Sequence, residues 1–194
     1  MEAGNRLETV AILRGKTPPP DASGSIAAFG VTLAELPTSL WSAYAQKLAG
    51  SCASADRMRE DAAARAAYDA GRLILDSAEF RAASGFTLPD GAEALRALFA
   101  LAAAWGWADA EITALRAPES MTVRARAYTE AEIGDLRPAA SPAAYAFRGI
   151  CRAFMDLAFG GAYPAGFGTY ACRQSLGLEL GDPCGEFIVT RAGA

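Results

Sequence analysis

The sequence predicts an α+β domain, an antiparallel four-stranded sheet with helices packed on one face. Three observations carry the prediction. Apolar residues recur with helical period between 56 and 107; the period drops to two across 111–128, around a short turn; and a long helix and a second strand pair then follow, ending at Arg191. Helices segregated from strands that join through short turns give packed layers rather than alternating parallel units.

The 194 residues fit one domain with a sizeable core. Residues 1–55 read as an N-terminal arm with one short helix, and 56–194 as the α+β domain. In the arm, "TVAILRG" is a short apolar run and "KTPPPDASGSIAAFG" a Pro/Gly/Ser-rich connector. "PTSLWSAYAQKLAG" supplies the short helix, capped by Thr38 or Ser39, anchored by Trp41 and closed by Gly50.

From Asp56 to Ala83 the pattern is one helix. Asp56, Glu60 and Asp61 sit where the helix dipole favours negative charge. Ala67, Ala70, Ile74 and Ala78, beside Gly71, form a narrow stripe that lets another helix approach closely. "SGFTLPDG" interrupts, and "AEALRALFALAAAWGW" puts Leu95, Leu98, Phe99, Ala102 and Trp105 on one face.

"EITALRA" and "MTVRARAY" flank the turn "PES". Met121, Val123, Ala125 and Ala127 alternate with Thr122, Arg124, Arg126 and Tyr128, which predicts a hairpin with an arginine-bearing outer face. After "RPAASP", a third helix begins near Pro142 and ends at paired glycines, with Phe147, Ile150, Cys151, Phe154, Leu157 and Ala158 on its apolar side. The remainder gives two strands joined near "GDPCG", with Phe187 and Val189 facing opposite to Ile188 and Thr190.

Composition narrows the chemistry. There is no histidine, which excludes histidine-based nucleophile systems, the usual zinc hydrolase sites and histidine-ligated haem. A net charge of -4 argues against a nucleic-acid partner bound through a basic surface. No stretch has the length and continuous apolar character of a membrane span. The four cysteines are widely spaced and the N-terminus has no basic flank with an apolar block, so reduced thiols and a cytoplasmic location are expected.

"AYDAGR" at 67–72, "WGW" at 105–107 and "GDPCGEFIV" at 181–189 resemble the 4-vinyl reductase domain family, relatives of the TRAPP-type fold, over residues 57 to 191. The resemblance implies a compact domain that often dimerises and holds a small, largely apolar molecule. It also implies that some members hold zinc with cysteines near the closing strands and a glutamate. Here Cys172 lies twelve positions before Cys184, a different spacing. No cofactor is expected; the alternative is zinc on Cys151, Cys172 and Cys184 with Glu179 or Glu186, donor atoms that suit tetrahedral coordination.

The aromatic side chains Trp105, Trp107, Tyr145, Phe147, Phe154, Phe167 and Tyr170 either line a cavity between helices and sheet or fill the core. The expected ligand-binding set is Trp105, Tyr145, Phe147, Cys151, Phe154 and Tyr170, with no catalytic residue. The function expected is binding of a hydrophobic or aromatic small molecule by a homodimer, without catalysis. The alternatives are an enzyme or accessory protein acting on a tetrapyrrole or other conjugated ring, and a structural dimerisation module.

Overall fold

The chain is described here as a computed structural model covering residues 3–34, 54–85, 91–132 and 141–193. The helix expected over 37–50, with Thr38, Ser39 and Trp41, and Cys52 lie outside the described residues. Helix α1 (Ala3–Lys16) leads into a small hairpin of β1 (Ser25–Ala28) and β2 (Val31–Ala34). Then come α2 (Ala55–Asp76), α3 (Ala78–Ser84), α4 (Gly91–Ala104), β3 (Ala108–Arg116), β4 (Ser120–Tyr128), α5 (Tyr145–Phe159), β5 (Tyr170–Leu176) and β6 (Gly185–Arg191).

The four strands β3 to β6 form one antiparallel sheet in the order β3-β4-β6-β5. This is the α+β class the sequence predicts. Met121, Val123, Ala125, Phe187 and Val189 point inward, and α5 meets them with Phe147, Cys151, Phe154 and Met155. Phe147 and Phe187 pack edge to face at 4.8 Å, and Phe99 of α4 meets Phe154 in the same way at 5.2 Å. Helix α2 packs chiefly along α5.

The small-residue stripe does what its pattern implies as far as Ile74; Ala78 lies past the end of α2, exposed on α3. A Cβ on Gly71 would lie 2.5 Å from Leu157 Cδ1, and one on Gly149 of α5 would lie 2.4 Å from the Glu60 carbonyl oxygen. Leu157 can turn aside, but the nearest atoms facing Gly149 are backbone, and there only glycine permits the separation. Across it Arg148 Nη2 pairs with Glu60 at 2.6 Å and Arg152 with Asp61, so two acids expected at the start of α2 also fix its partner.

Three features depart from the sequence reading. The helix expected over 56–83 breaks at Ser77, which is extended (ψ 123°) and accepts a hydrogen bond from Phe80 N at 3.3 Å, capping α3. The connector holds a hairpin whose turn residues Phe29 and Gly30 have φ of 52° and 82°, the twist a two-residue β-turn needs. The arm also opens with α1, not anticipated because it buries so little: among its described side chains Leu13 and Thr9 are the buried ones. It packs against α4 and α3, which buries α4 on nearly every side.

Candidate functional site

The corner where α4 passes into β3 is built by "WGW". Gly106 N–H donates to Ala103 O at 3.2 Å and Trp107 N–H to Ala102 O at 2.8 Å, the paired bonds of a helix end closed by a left-handed residue. That residue is Gly106, at φ 73°. Trp105 is carried inward, stacked on Phe29 at 6.2 Å and donating from Nε1 to Thr17 Oγ1 at 3.0 Å. Trp107, half-buried, packs beside the Trp105 ring.

Strand β4 is irregular beside this corner. Asp109 pairs with Ala127 and Ala110 with Ala125, so Arg126 is an extra residue without a partner, a β-bulge. The insertion reverses the alternation: Met121, Val123 and Ala125 are buried, and so is Tyr128, which strict alternation places on the arginine face. Gly185 leaves room for it, since a Cβ there would lie 2.6 Å from the Tyr128 ring.

Between the helix end and the bulge lies a half-open cleft of about 190 Å³, lined by Ala103, Gly106, Trp107, Ala108, Asp109, Ala127 and Tyr128. Among the described residues Asp109 is the one charged residue in that lining. Arg6 Nη2, from α1, donates to its Oδ1 at 2.9 Å and to Ala110 O at 2.8 Å; Arg126 Nε, from the bulge, donates to its Oδ2 at 3.0 Å. Partial burial works against its ionisation, but these two guanidinium bonds outweigh it and hold the carboxyl below its ordinary value.

Behind the cleft wall is a buried polar network. Tyr128 donates its hydroxyl to Glu179 Oε2 and accepts from Leu178 N at 2.9 Å. Glu179 Oε1 also accepts from Ala143 N at 2.9 Å and Gln174 Nε2 at 2.8 Å. Gln174 Oε1 takes Ala144 N at 3.2 Å, and Glu130 takes Ala146 N at 2.6 Å and Phe147 N at 3.1 Å. The amides entering α5 thus find acceptors from three buried side chains, where Ala144 offers no capping group of its own. Burial, then the Glu179 carboxylate, push the Tyr128 phenol far above its ordinary value, so its proton stays on. Burial opposes the charge on Glu179, but the bonds from Ala143 and Tyr128 prevail and its pKa is lowered. At Glu130 burial prevails over the amides and the pKa is raised.

The six expected ligand-binding residues are dispersed. Phe147, Cys151 and Phe154 share the buried face of α5. Tyr145 lies at the start of that helix under the guanidinium groups of Arg59 and Arg148, at 5.1 and 4.6 Å. Tyr170 is at the far end of β5, its hydroxyl donating to Pro118 O. Trp105 packs 5.2 Å from Trp107 without lining the cleft. Of the wider aromatic group only Trp107 lines it; Tyr128, Asp109 and Arg6 went unread.

Of the candidate zinc ligands two adjoin, but the set does not converge. Cys151 lies against Cys172; burial first, and the neighbouring thiol second, keep it protonated. Glu179 is engaged by Tyr128 and Gln174, and Cys184 stands as a free, half-buried thiol in the turn before β6. Among the described residues no three Cys, Asp or Glu side chains converge to hold a metal ion. Nor, among them, is any helix long and apolar enough to cross a membrane.

No protein-family model matches the sequence, and no curated protein matches it. Solved structures do. The chain is similar to the phenol-responsive sensory domain of the transcription activator PoxR, solved with phenol, with a TM-score of 0.77 and 13% identity over 98% of this chain and 92% of that one. It is also similar to a trafficking protein particle complex subunit 3 from Naegleria fowleri covalently bound to palmitic acid, with a TM-score of 0.52 and 12% identity over 80% of this chain and 95% of that one. At such identities the likeness is one of fold: a four-stranded antiparallel sheet with helices on one face, shared with a sensory domain and with a TRAPP subunit.

Proposed function

We propose that this domain binds a small aromatic molecule in the cleft between the end of α4 and the β4 bulge, and catalyses no reaction on it. The observation that carries this reading is a recess of about 190 Å³ walled by Trp107 and Tyr128 on a fold shared with a phenol-responsive sensory domain. An apolar cavity of about 150 Å³ suffices for benzene, whereas drug-sized ligands take roughly 300–1,000 Å³. That volume is on the scale of one ring, which favours a small aromatic ligand. The absence of histidine, and an Asp109 whose two oxygens are already held by arginines, favour a binder over a catalyst.

Kinship with the 4-vinyl reductase family, a homodimer and a cytoplasmic location belong to the same proposal, supported by the shared fold and the sequence motifs. Sedimentation velocity reads the subunit number.

Titration with phenol, followed by ¹H–¹⁵N NMR, tests the reading. Shifts concentrated at the Trp107 indole and the amides of Gly106 and Ala108 are expected, with roughly tenfold weaker binding in Trp107→Ala. Shifts absent at that corner would overturn it.

A further inference from the structure

We propose that Cys151 and Cys172 form a reversible disulfide, a redox-sensitive clasp that ties the middle of α5 to the edge strand β5 when a peroxide reaches the protein. The proposal stands apart from the ring-binding reading. Helix α5 runs along β5 and is fastened to it near both ends. At its start Ala144 N donates to Gln174 Oε1 at 3.2 Å, and toward its finish Asp156 Oδ1 accepts from Tyr170 N at 3.0 Å. Cys151 and Cys172 lie between those two fastenings, one on each element. Both face the gap. Cys151 is fully buried in α5, and Cys172 shares its side of the strand with the buried Tyr170 and Gln174 and stands opposite the buried Val189 of β6. The two thiols are in hydrogen-bonding contact.

Unequal access sets the order of events. Cys151 is sealed from solvent, whereas Cys172 is half-buried, its Sγ 3.9 Å from Arg173 O on the exposed margin of the strand. A peroxide therefore meets Cys172 first. The Cys172 sulfur attacks one peroxide oxygen, the O–O bond breaks, and a sulfenic acid forms while the thiol proton leaves with the other oxygen as water. The Cys151 sulfur then attacks the Cys172 sulfur; the S–O bond breaks, and the hydroxyl leaves with the Cys151 proton as a second water. Two thiols are oxidised and one peroxide is reduced. The sulfurs must close from contact to a bond of about 2.05 Å. Strand β5 can make that shift because it sits at the edge of the sheet, where among the described strands only β6 holds it. Exchange with an external thiol reopens the bridge.

Hydrogen peroxide in modest excess, then unfolding in guanidinium chloride with N-ethylmaleimide and intact mass measurement, tests the clasp. The chain carries four cysteines, so four labels are expected before oxidation and two after it, with a return to four once dithiothreitol has reduced the oxidised protein. Trypsin cuts after Arg148, Arg152 and Arg173, so the bridge should join peptides 149–152 and 153–173. Cys172→Ser should keep its three remaining labels under the same treatment, while Cys184→Ser should fall from three to one. Four labels retained by the unaltered protein would overturn the proposal. So would a bridge that includes Cys52 or Cys184, or a Cys172 that gains oxygen without bridging.

Discussion

At the α2–α5 contact the backbones approach until a methyl group on Gly149 would lie 2.4 Å from the Glu60 carbonyl oxygen and 2.8 Å from Ala64 N. At the α4–β3 corner a methyl group on Gly106 would meet no atom within 4 Å, yet the residue sits at φ 73°. Both positions need glycine, for unrelated reasons. The first is specified by volume and tolerates nothing larger; the second is specified by conformation, with space to spare. The solid contact holds the fold together, and the candidate site sits at the open corner, where a helix end and a bulge leave a recess.

Substitution sharpens the contrast. Gly149→Val is expected to lose about 3 kcal/mol or more in urea unfolding, since the clash is with backbone that cannot turn aside; a loss below about 1 kcal/mol would mean the helices separate easily and the contact is not rigid. Glu179→Ala comes next, at about 2–3 kcal/mol, because it strands the Ala143 amide and the Tyr128 hydroxyl proton and takes one of the acceptors of Gln174 Nε2.

The pH dependence of that network has a definite sign. Glu179 is lowered from 4.5 in the folded state, so its contribution is complete above 4.5 and is lost as pH falls through the lowered value. The stability gap between the unaltered protein and Glu179→Gln should therefore narrow in acid. Glu130, raised from 4.5 by burial, acts in the opposite sense: its penalty is absent in acid and grows as pH climbs from 4.5 toward the raised value. Glu130→Gln should narrow that loss, which parallel unfolding curves at pH 4 and 7 would register.

Gly106→Ala is expected to lose only about 1 kcal/mol in thermal unfolding, the strain of a left-handed alanine, while weakening phenol binding through a displaced Trp107. A cost matching that of Gly149→Val would erase the distinction between the two glycines. Smallest is Arg126→Ala. Its bond to Asp109 is largely exposed, so stability should change by no more than about 0.5 kcal/mol.

The solid half of the molecule was legible because period reports it directly. The stripe beside Gly71, the face of α5 carrying Phe147, Cys151 and Phe154, and the opposed faces of Phe187 and Ile188 all follow from 3.6- or 2-residue spacing. The open corner was not, because a bulge breaks the period that strand reading depends on. Counting by twos through Arg126 sends Tyr128 to the wrong face and hides the acid it meets. Asp109 was invisible for another reason: its partners Arg6 and Arg126 are 103 and 17 residues away, and neither spacing is a local signal. The end of α2 was readable in principle, from a serine followed by an acid and a phenylalanine at 77–80, but an unbroken run of helix formers outweighed it.

A sheet strand counts its residues as strictly as a gear counts its teeth. Exchanging Arg126 for almost anything leaves the count intact, and deleting it would close the bulge with Tyr128 still opposite Ala108, whereas an Arg126 absorbed into the regular ladder would carry Tyr128 round to the solvent side and strip Glu179 of its hydroxyl donor in one step. Descendants of this chain should accordingly drift freely in what stands at 126, and can lose that residue altogether while Tyr128 keeps its place opposite Ala108.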